Sequence, residues 1–145
     1  MMYHLPMHKN PSGSCTSCEN KLCHCDPRII EFVKNTQANF IDCHIAVGYR
    51  DQAEQQTALQ TGKSRLPWPK SKHNFIEAGQ PMSHAVDLFR LGDDDKAHFE
   101  AHYYEQIWLF YSQNKGAFQG TTLKILWGGT WITFKDLDHF ELTHI

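Results

Sequence analysis

No apolar run in this chain approaches the ~20 residues that a membrane-spanning helix needs. The opening stretch, Met1 to His8, has neither a basic region nor an apolar core, so it does not read as a Sec signal peptide. The expectation is a chain made in a cytoplasm and kept there until something else releases it. Basic charge is not in excess either. The formal net charge is -2, which gives no positive field for a nucleic-acid groove. Internal repeats and low-complexity linkers are absent, so 145 residues are expected to build one sizeable core. Cysteine is limited to five residues, which in a reducing compartment read as thiols or metal ligands before disulfides. Histidine, by contrast, is abundant at ten residues, and neutral imidazole is the usual zinc ligand.

Residues 1–25 are rich in Pro, Gly, Ser, Asn and Cys and read as an extended arm or knuckle. Asp26-Pro27 then signals a helix start, and Ile29, Ile30, Phe32 and Val33 mark its apolar side over about Pro27 to Thr36. Ile41, Cys43, Ile45 and Val47 alternate with polar or small residues as in a half-buried strand, with Cys43 in the core. Asp51 and Glu54 form a capping-box pattern, and Gly62 is a stop for the helix they begin. Leu66 to Gly79 reads as a loop and Ser83 to Leu88 as a buried strand. A long helix is expected from Asp95 to Asn114, with the acidic run at its start and Phe99, Tyr103, Ile107, Phe110 and Tyr111 on its apolar face. Strands at 123–127 and 139–143 flank a Gly128-Gly129 turn. Helices and short strands without a βαβ period predict an α+β fold, a small antiparallel sheet with packed helices.

Three segments carry the chemistry. His73, Asp87 and His139 supply two imidazoles and a carboxylate, a three-ligand zinc set with a fourth position open to water. Strand alternation sets Asp87 on the opposite side from His84, so His73 is the better partner and His84 a surface or supporting histidine. His139 and Glu141 share a face, and Asp138 is expected to face away. Asp136, in the loop before that strand, is the candidate base for the water. Glu141 is the second choice, or a partner that orients a histidine.

Ser71-Lys72-His73, Ala85-Val86-Asp87 and Asp136-Leu137-Asp138-His139 match S-x-H, A-x-D and [ED]-x-x-H in order. With Gly48-Tyr49-Arg50, Gln55 and Trp127-Gly128-Gly129-Thr130-Trp131, these blocks resemble the zinc peptidases that include D-alanyl-D-alanine carboxypeptidases and L-alanyl-D-glutamate endopeptidases, above all those of phage endolysins. The resemblance runs from residue 26 to 145. It implies a hedgehog/D,D-peptidase-like zinc peptidase domain over 26–145, with a Cys-rich arm over 1–25. Zn2+ would be held by His73, Asp87 and His139, with Asp136 as general base and Arg50 on the substrate carbonyl. Ser71 and Gln55 would contact substrate. The implied reaction is hydrolysis of the L-Ala–D-Glu bond of peptidoglycan stem peptides by a monomer that needs neither nucleic acid nor membrane. Without a signal peptide it would wait in the host cytoplasm and act on the wall after release. His73 and Asp87 lie 14 positions apart, a wider spacing than the pattern's, and the extra residues, Phe75 to Met82, are expected to line the site.

Cys15, Cys18, Cys23 and Cys25 pack four thiols into eleven residues and are candidates for a second, structural zinc, against free thiols. Two activities compete with the endopeptidase. One is a D,D-carboxypeptidase, in which Lys72 or Arg65 would grip the terminal carboxylate. The other is a non-catalytic zinc or wall-binding module, which would have no use for Asp136. A Cys-rich zinc protein touching nucleic acid would need more than Lys9 and Lys21 in the arm.

Overall fold

The computed structural model describes residues 20–39, 42–113, 123–131 and 135–144. Its first long helix, α1 (Pro27–Asn39), starts where Asp26 accepts from the Arg28 backbone at 2.9 Å and buries Ile29, Phe32, Val33 and Thr36. Strand β1 (His44–Val47) follows. Asp51 caps α2 (Gln52–Gln60) through a complete capping box with Glu54, which satisfies backbone donors that the first turn leaves orphaned. Two short strands, β2 (Ile76–Glu77) and β3 (Gln80–Pro81), precede the central strand β4 (Ala85–Leu91), and β5 (Ala97–His98) turns back on it. Helix α3 (Ala101–Gln113), β6 (Leu123–Trp127) and β7 (His139–His144) complete the chain.

The main sheet is antiparallel with order β1-β4-β7-β6, and β5 pairs with the end of β4. The fold is therefore α+β, a small antiparallel sheet with packed helices. Alternation along β4 and β7 assigns the two faces. Val86, Leu88, Phe140 and Leu142 enter one apolar cluster with Ile29, Phe32, Val33, Tyr104 and Ile107 from α1 and α3. Asp87 and Ala85 lie opposite His139 and Glu141 in the register, so these four share the other face. Leu22 and Cys25, from the arm expected over 1–25, also belong to the core cluster.

Two expectations need correction. The long helix does not begin at Asp95 but at Ala101. Gly92 to Lys96 instead close the β4–β5 turn: the Gly92 N–H donates to Lys96 O at 2.9 Å, Asp94 accepts from the Lys96 N–H, and Asp95 takes a positive φ of 63°. Short Asp side chains that bond their own backbone favour such turns over a helix. Phe99 is consequently outside the helix and half exposed, and the buried face is Tyr103, Tyr104, Ile107 and Tyr111. The second correction concerns Leu66 to Gly79, which is not all loop. It contains a 3-10 turn, Lys72–Asn74, and the first strand of the β2–β3 hairpin, whose turn uses positive φ at Ala78 and Gly79. Ile41 and Asn114 lie outside the described residues.

Candidate metal centre

Asp87 and His139 face each other across β4 and β7, and the 3-10 turn at Lys72–Asn74 brings His73 over them. His73 Nε2 lies 3.2 Å from Asp87 Oδ1 and 3.2 Å from His139 Nδ1, and the third side of the triangle, His139 Nδ1 to Asp87 Oδ1, is 3.0 Å. All three residues are buried. The remaining ring nitrogens have acceptors of their own. His73 Nδ1 sits 2.7 Å from the Gly48 carbonyl, and His139 Nε2 sits 2.8 Å from the Glu141 carboxylate. A neutral imidazole that donates from one nitrogen presents a bare lone pair on the other. Two lone pairs and a carboxylate oxygen thus converge on one point, and only a proton or a cation reconciles them. Ligands about 2.0–2.1 Å from a tetrahedral zinc stand roughly 3.3 Å apart. The donor set, its spacing and its outer partners fit that ion.

The cluster's electrostatics show the same demand for positive charge. Burial alone would raise the Asp87 carboxyl, but the two imidazoles outweigh it and hold it well below the usual carboxylate range. Burial pushes the His139 imidazole down, yet its hydrogen bonds to Asp87 and Glu141 win and raise it to about 10. Both shifts favour positive charge at the centre of the triangle.

The blocks around the three donors act through the backbone. Gly48 must be glycine: a Cβ there would meet Lys21 O at 2.6 Å, and its carbonyl holds both His73 Nδ1 and Ser83 Oγ. Ser71 caps the 3-10 turn by accepting from the His73 N–H at 3.2 Å, while also lining the cleft. Gly128 approaches Asp136 so closely that a Cβ would lie 2.3 Å from Asp136 O, and the Gly128 carbonyl accepts from the Asp136 and Trp131 N–H groups. Trp127 Nε1 donates to Leu137 O at 2.6 Å. The Trp-Gly-Gly segment therefore positions the loop that carries Asp136.

The cleft above the triangle has a volume of ≈ 240 Å³, and Arg50, Ser71, Trp131, Asp136 and Glu141 are among its walls. Arg50 donates to Gln55 Oε1 at 3.0 Å and stands 3.9 Å from Asp87 Oδ2.

Several sequence expectations change at this level. Gln55, expected to contact substrate, is not among the cleft's walls: it is 0% exposed, and its amide is taken up by Arg50, Asn74, Ser64 Oγ and Leu66 O. Asp138 does not face away. It precedes β7 in a turn, where strand alternation no longer applies, and its carboxylate oxygen lies within 4.8 Å of those of Asp87 and Asp136. Burial, then Asp87 and a hydrogen bond to Asp136, raise its carboxyl to about 9. None of the residues from Phe75 to Met82 lines the cleft; they form the β2–β3 hairpin. His84 stays out of the triangle, stacking on Phe75 at 3.7 Å with Nε2 3.6 Å from Asp26. Lys72 turns its ammonium to Leu142 O at 2.9 Å. Of the four arm cysteines, Cys15 and Cys18 lie outside the described residues. Cys23 is exposed, and Cys25 is buried in the core with its thiol pushed up to about 12 by burial, Cys23 and Asp26. Cys43 is fully buried, as expected of a core thiol. Among the described residues no helix is long and apolar enough to cross a membrane.

No protein-family profile matches the chain, and no curated protein matches it. Among solved structures, it is similar to the crystal structure of Serratia marcescens L-Ala D-Glu endopeptidase ChiX, with a TM-score of 0.68 and 24% identity over 88% of this chain and 87% of that one. The two share a fold.

Proposed function

We propose that the chain is a zinc-dependent peptidoglycan peptidase of the endolysin type that hydrolyses the L-Ala–D-Glu bond of the stem peptide. One observation carries the reading: two imidazole lone pairs and a carboxylate oxygen meet within 3.2 Å inside a cleft that also holds a carboxylate and a guanidinium. The shared fold with an L-Ala D-Glu endopeptidase supports the substrate class.

His73 Nε2, Asp87 Oδ1 and His139 Nδ1 would hold the zinc. Bound there, the ion would make water a nucleophile near neutral pH and polarise a carbonyl. The Asp136 carboxylate takes the attacking water's proton and returns it to the leaving nitrogen. Asp138, whose carboxyl is raised by burial, Asp87 and a hydrogen bond to Asp136, would fix the direction of the Asp136 carboxylate through that bond. Arg50, held by Gln55 in the cleft wall, would stabilise the negative charge that develops on the carbonyl oxygen, and a prepositioned guanidinium does so most where water is scarce. Trp131, 5.2 Å from the His139 ring, covers the metal-facing imidazole.

Mass spectrometry of purified stem muropeptides after incubation with the zinc-loaded protein tests the reading. The expected product is a peptide with a new N-terminal D-Glu. Intact muropeptides under zinc-loaded conditions would overturn it.

A further inference from the structure

Arg50 and His73 sit on different segments, yet in the reading above both serve one scissile carbonyl. The backbone ties the segments directly where the Arg50 N–H donates to His73 O at 2.9 Å. Further ties pass through two buried carboxamides, those of Asn74 and Gln55, which are 3% and 0% exposed.

The partners of each amide force its orientation. The Ser71 N–H can only donate, so the Asn74 atom 3.0 Å from it is Oδ1. The Arg50 carbonyl can only accept, so the Asn74 atom 2.9 Å from it is Nδ2. The second Nδ2 hydrogen goes to Gln55 Oε1 at 3.1 Å, which also receives Arg50 Nη1 at 3.0 Å. Gln55 Nε2 donates to Ser64 Oγ and to Leu66 O. Every hydrogen of both amides thus has an acceptor, and a fully satisfied buried network is rigid. Asn74 performs two tasks with different atoms. Its oxygen closes the 3-10 turn that presents His73, and its nitrogen holds the Arg50 backbone and, through Gln55, the Arg50 guanidinium.

Resting on the peptidase reading above, we propose that Asn74 is a positioning residue for the charge-stabilising step: through Nδ2 it fixes the Arg50 guanidinium relative to the turn that carries His73. A plain turn cap needs only the oxygen. The nitrogen takes no part in the turn, and both of its acceptors belong to the Arg50 assembly.

Asn74→Asp separates the two tasks, since a carboxylate still accepts from the Ser71 N–H but cannot donate to Arg50 O or Gln55 Oε1. With zinc-loaded protein and an L-Ala–D-Glu stem muropeptide, kcat is expected to fall roughly ten- to hundredfold with KM nearly unchanged, the scale of loss that a small displacement of a catalytic group brings. Zinc affinity in a chelator competition should stay at the wild-type value, because the cap survives. In an Arg50→Ala background the same exchange should alter kcat by less than about twofold, because a residue that acts through Arg50 has nothing left to position. Exchange of the Arg50 guanidinium protons, followed by 15N NMR, should be slow in wild type and faster in Asn74→Asp. Wild-type kcat in Asn74→Asp, losses that multiply in the double variant, equal proton exchange in the two proteins, or a fall in zinc affinity that accounts for the lost turnover would each overturn the positioning role and leave the peptidase reading standing. If Asn74→Asp does not fold, Asn74→Ala at saturating zinc carries the same comparison with Arg50→Ala. Failure of wild type to cleave the muropeptide removes the peptidase reading and this proposal with it.

Discussion

At the scale of single residues, the three donors, the base and the outer partners have separable effects. Asp136→Ala is expected to keep zinc and lower kcat by about 10²–10⁴, the usual worth of a positioned base. Unchanged turnover would transfer the role to Glu141. His73→Ala is expected to lose stoichiometric zinc and activity together. Glu141→Gln keeps the shape of the His139 contact but removes its charge, so zinc affinity should weaken about 10–100-fold in a chelator competition. An unaltered affinity would show that Glu141 does not orient the ligand. The triangle also fixes a pH dependence. In the metal-free protein His139 is raised from 6.5 to about 10, so its stabilising proton is fully present below pH 6.5 and is lost as pH rises through 10. Asp138 is raised from 3.8 to about 9, so keeping it neutral costs stability increasingly as pH climbs between those values. Both act in one direction between pH 6.5 and 9. The metal-free Tm should fall across that window, and the rise in Tm on adding zinc should grow, because the ion replaces the proton. A zinc increment that shrinks with pH would contradict this.

At the scale of elements, the most sensitive contact is the one between the Trp127–Gly128 corner and the Asp136 loop. A methyl group at Gly128 would have to displace the Asp136 carbonyl. Gly128→Ala should therefore cost about 1–3 kcal/mol of stability, as overpacking does. Activity should drop, and zinc affinity should weaken with it, because the displaced Asp136 carbonyl also accepts from the His139 N–H at 3.3 Å. A fully active variant would show that the loop tolerates the shift. Much of the element pattern was legible in the residues. Asp26-Pro27 and the Asp51–Glu54 box carry local physical signals that the structure contains, and the apolar residues of 43–47 marked a strand, although its burial does not alternate: His44 is buried beside Ile45, and Ala46 and Val47 are both half-buried. What escaped were features decided by turns and tertiary contact. Asp93 to Asp95 looked like a helix start because acidic residues suit both a helix dipole and a turn. Asp138 looked misdirected because alternation was extended one residue beyond the strand. Gln55 looked like a substrate contact, since nothing in one sequence shows that its amide is consumed within the protein.

At the scale of the whole molecule, a four-stranded antiparallel path does two jobs with its two faces. Phe140 and Leu142 bury against α1 and α3, while their neighbours His139 and Glu141 point into the cleft. Pairing Asp87 directly with His139 makes two donors a consequence of sheet register, so a slip of one residue would destroy the site along with the core. The convergence of His73 with this pair links residues 14 and 66 positions apart and could be anticipated only from the ordered set of motifs.

The central claim is that this triangle holds the catalytic zinc. Anomalous diffraction at the zinc edge, from crystals grown with the metal, tests it most directly. The account predicts a peak about 2.0–2.2 Å from His73 Nε2, Asp87 Oδ1 and His139 Nδ1. A triangle without a peak, in crystals whose zinc lies only at the cysteines or on the surface, would contradict it.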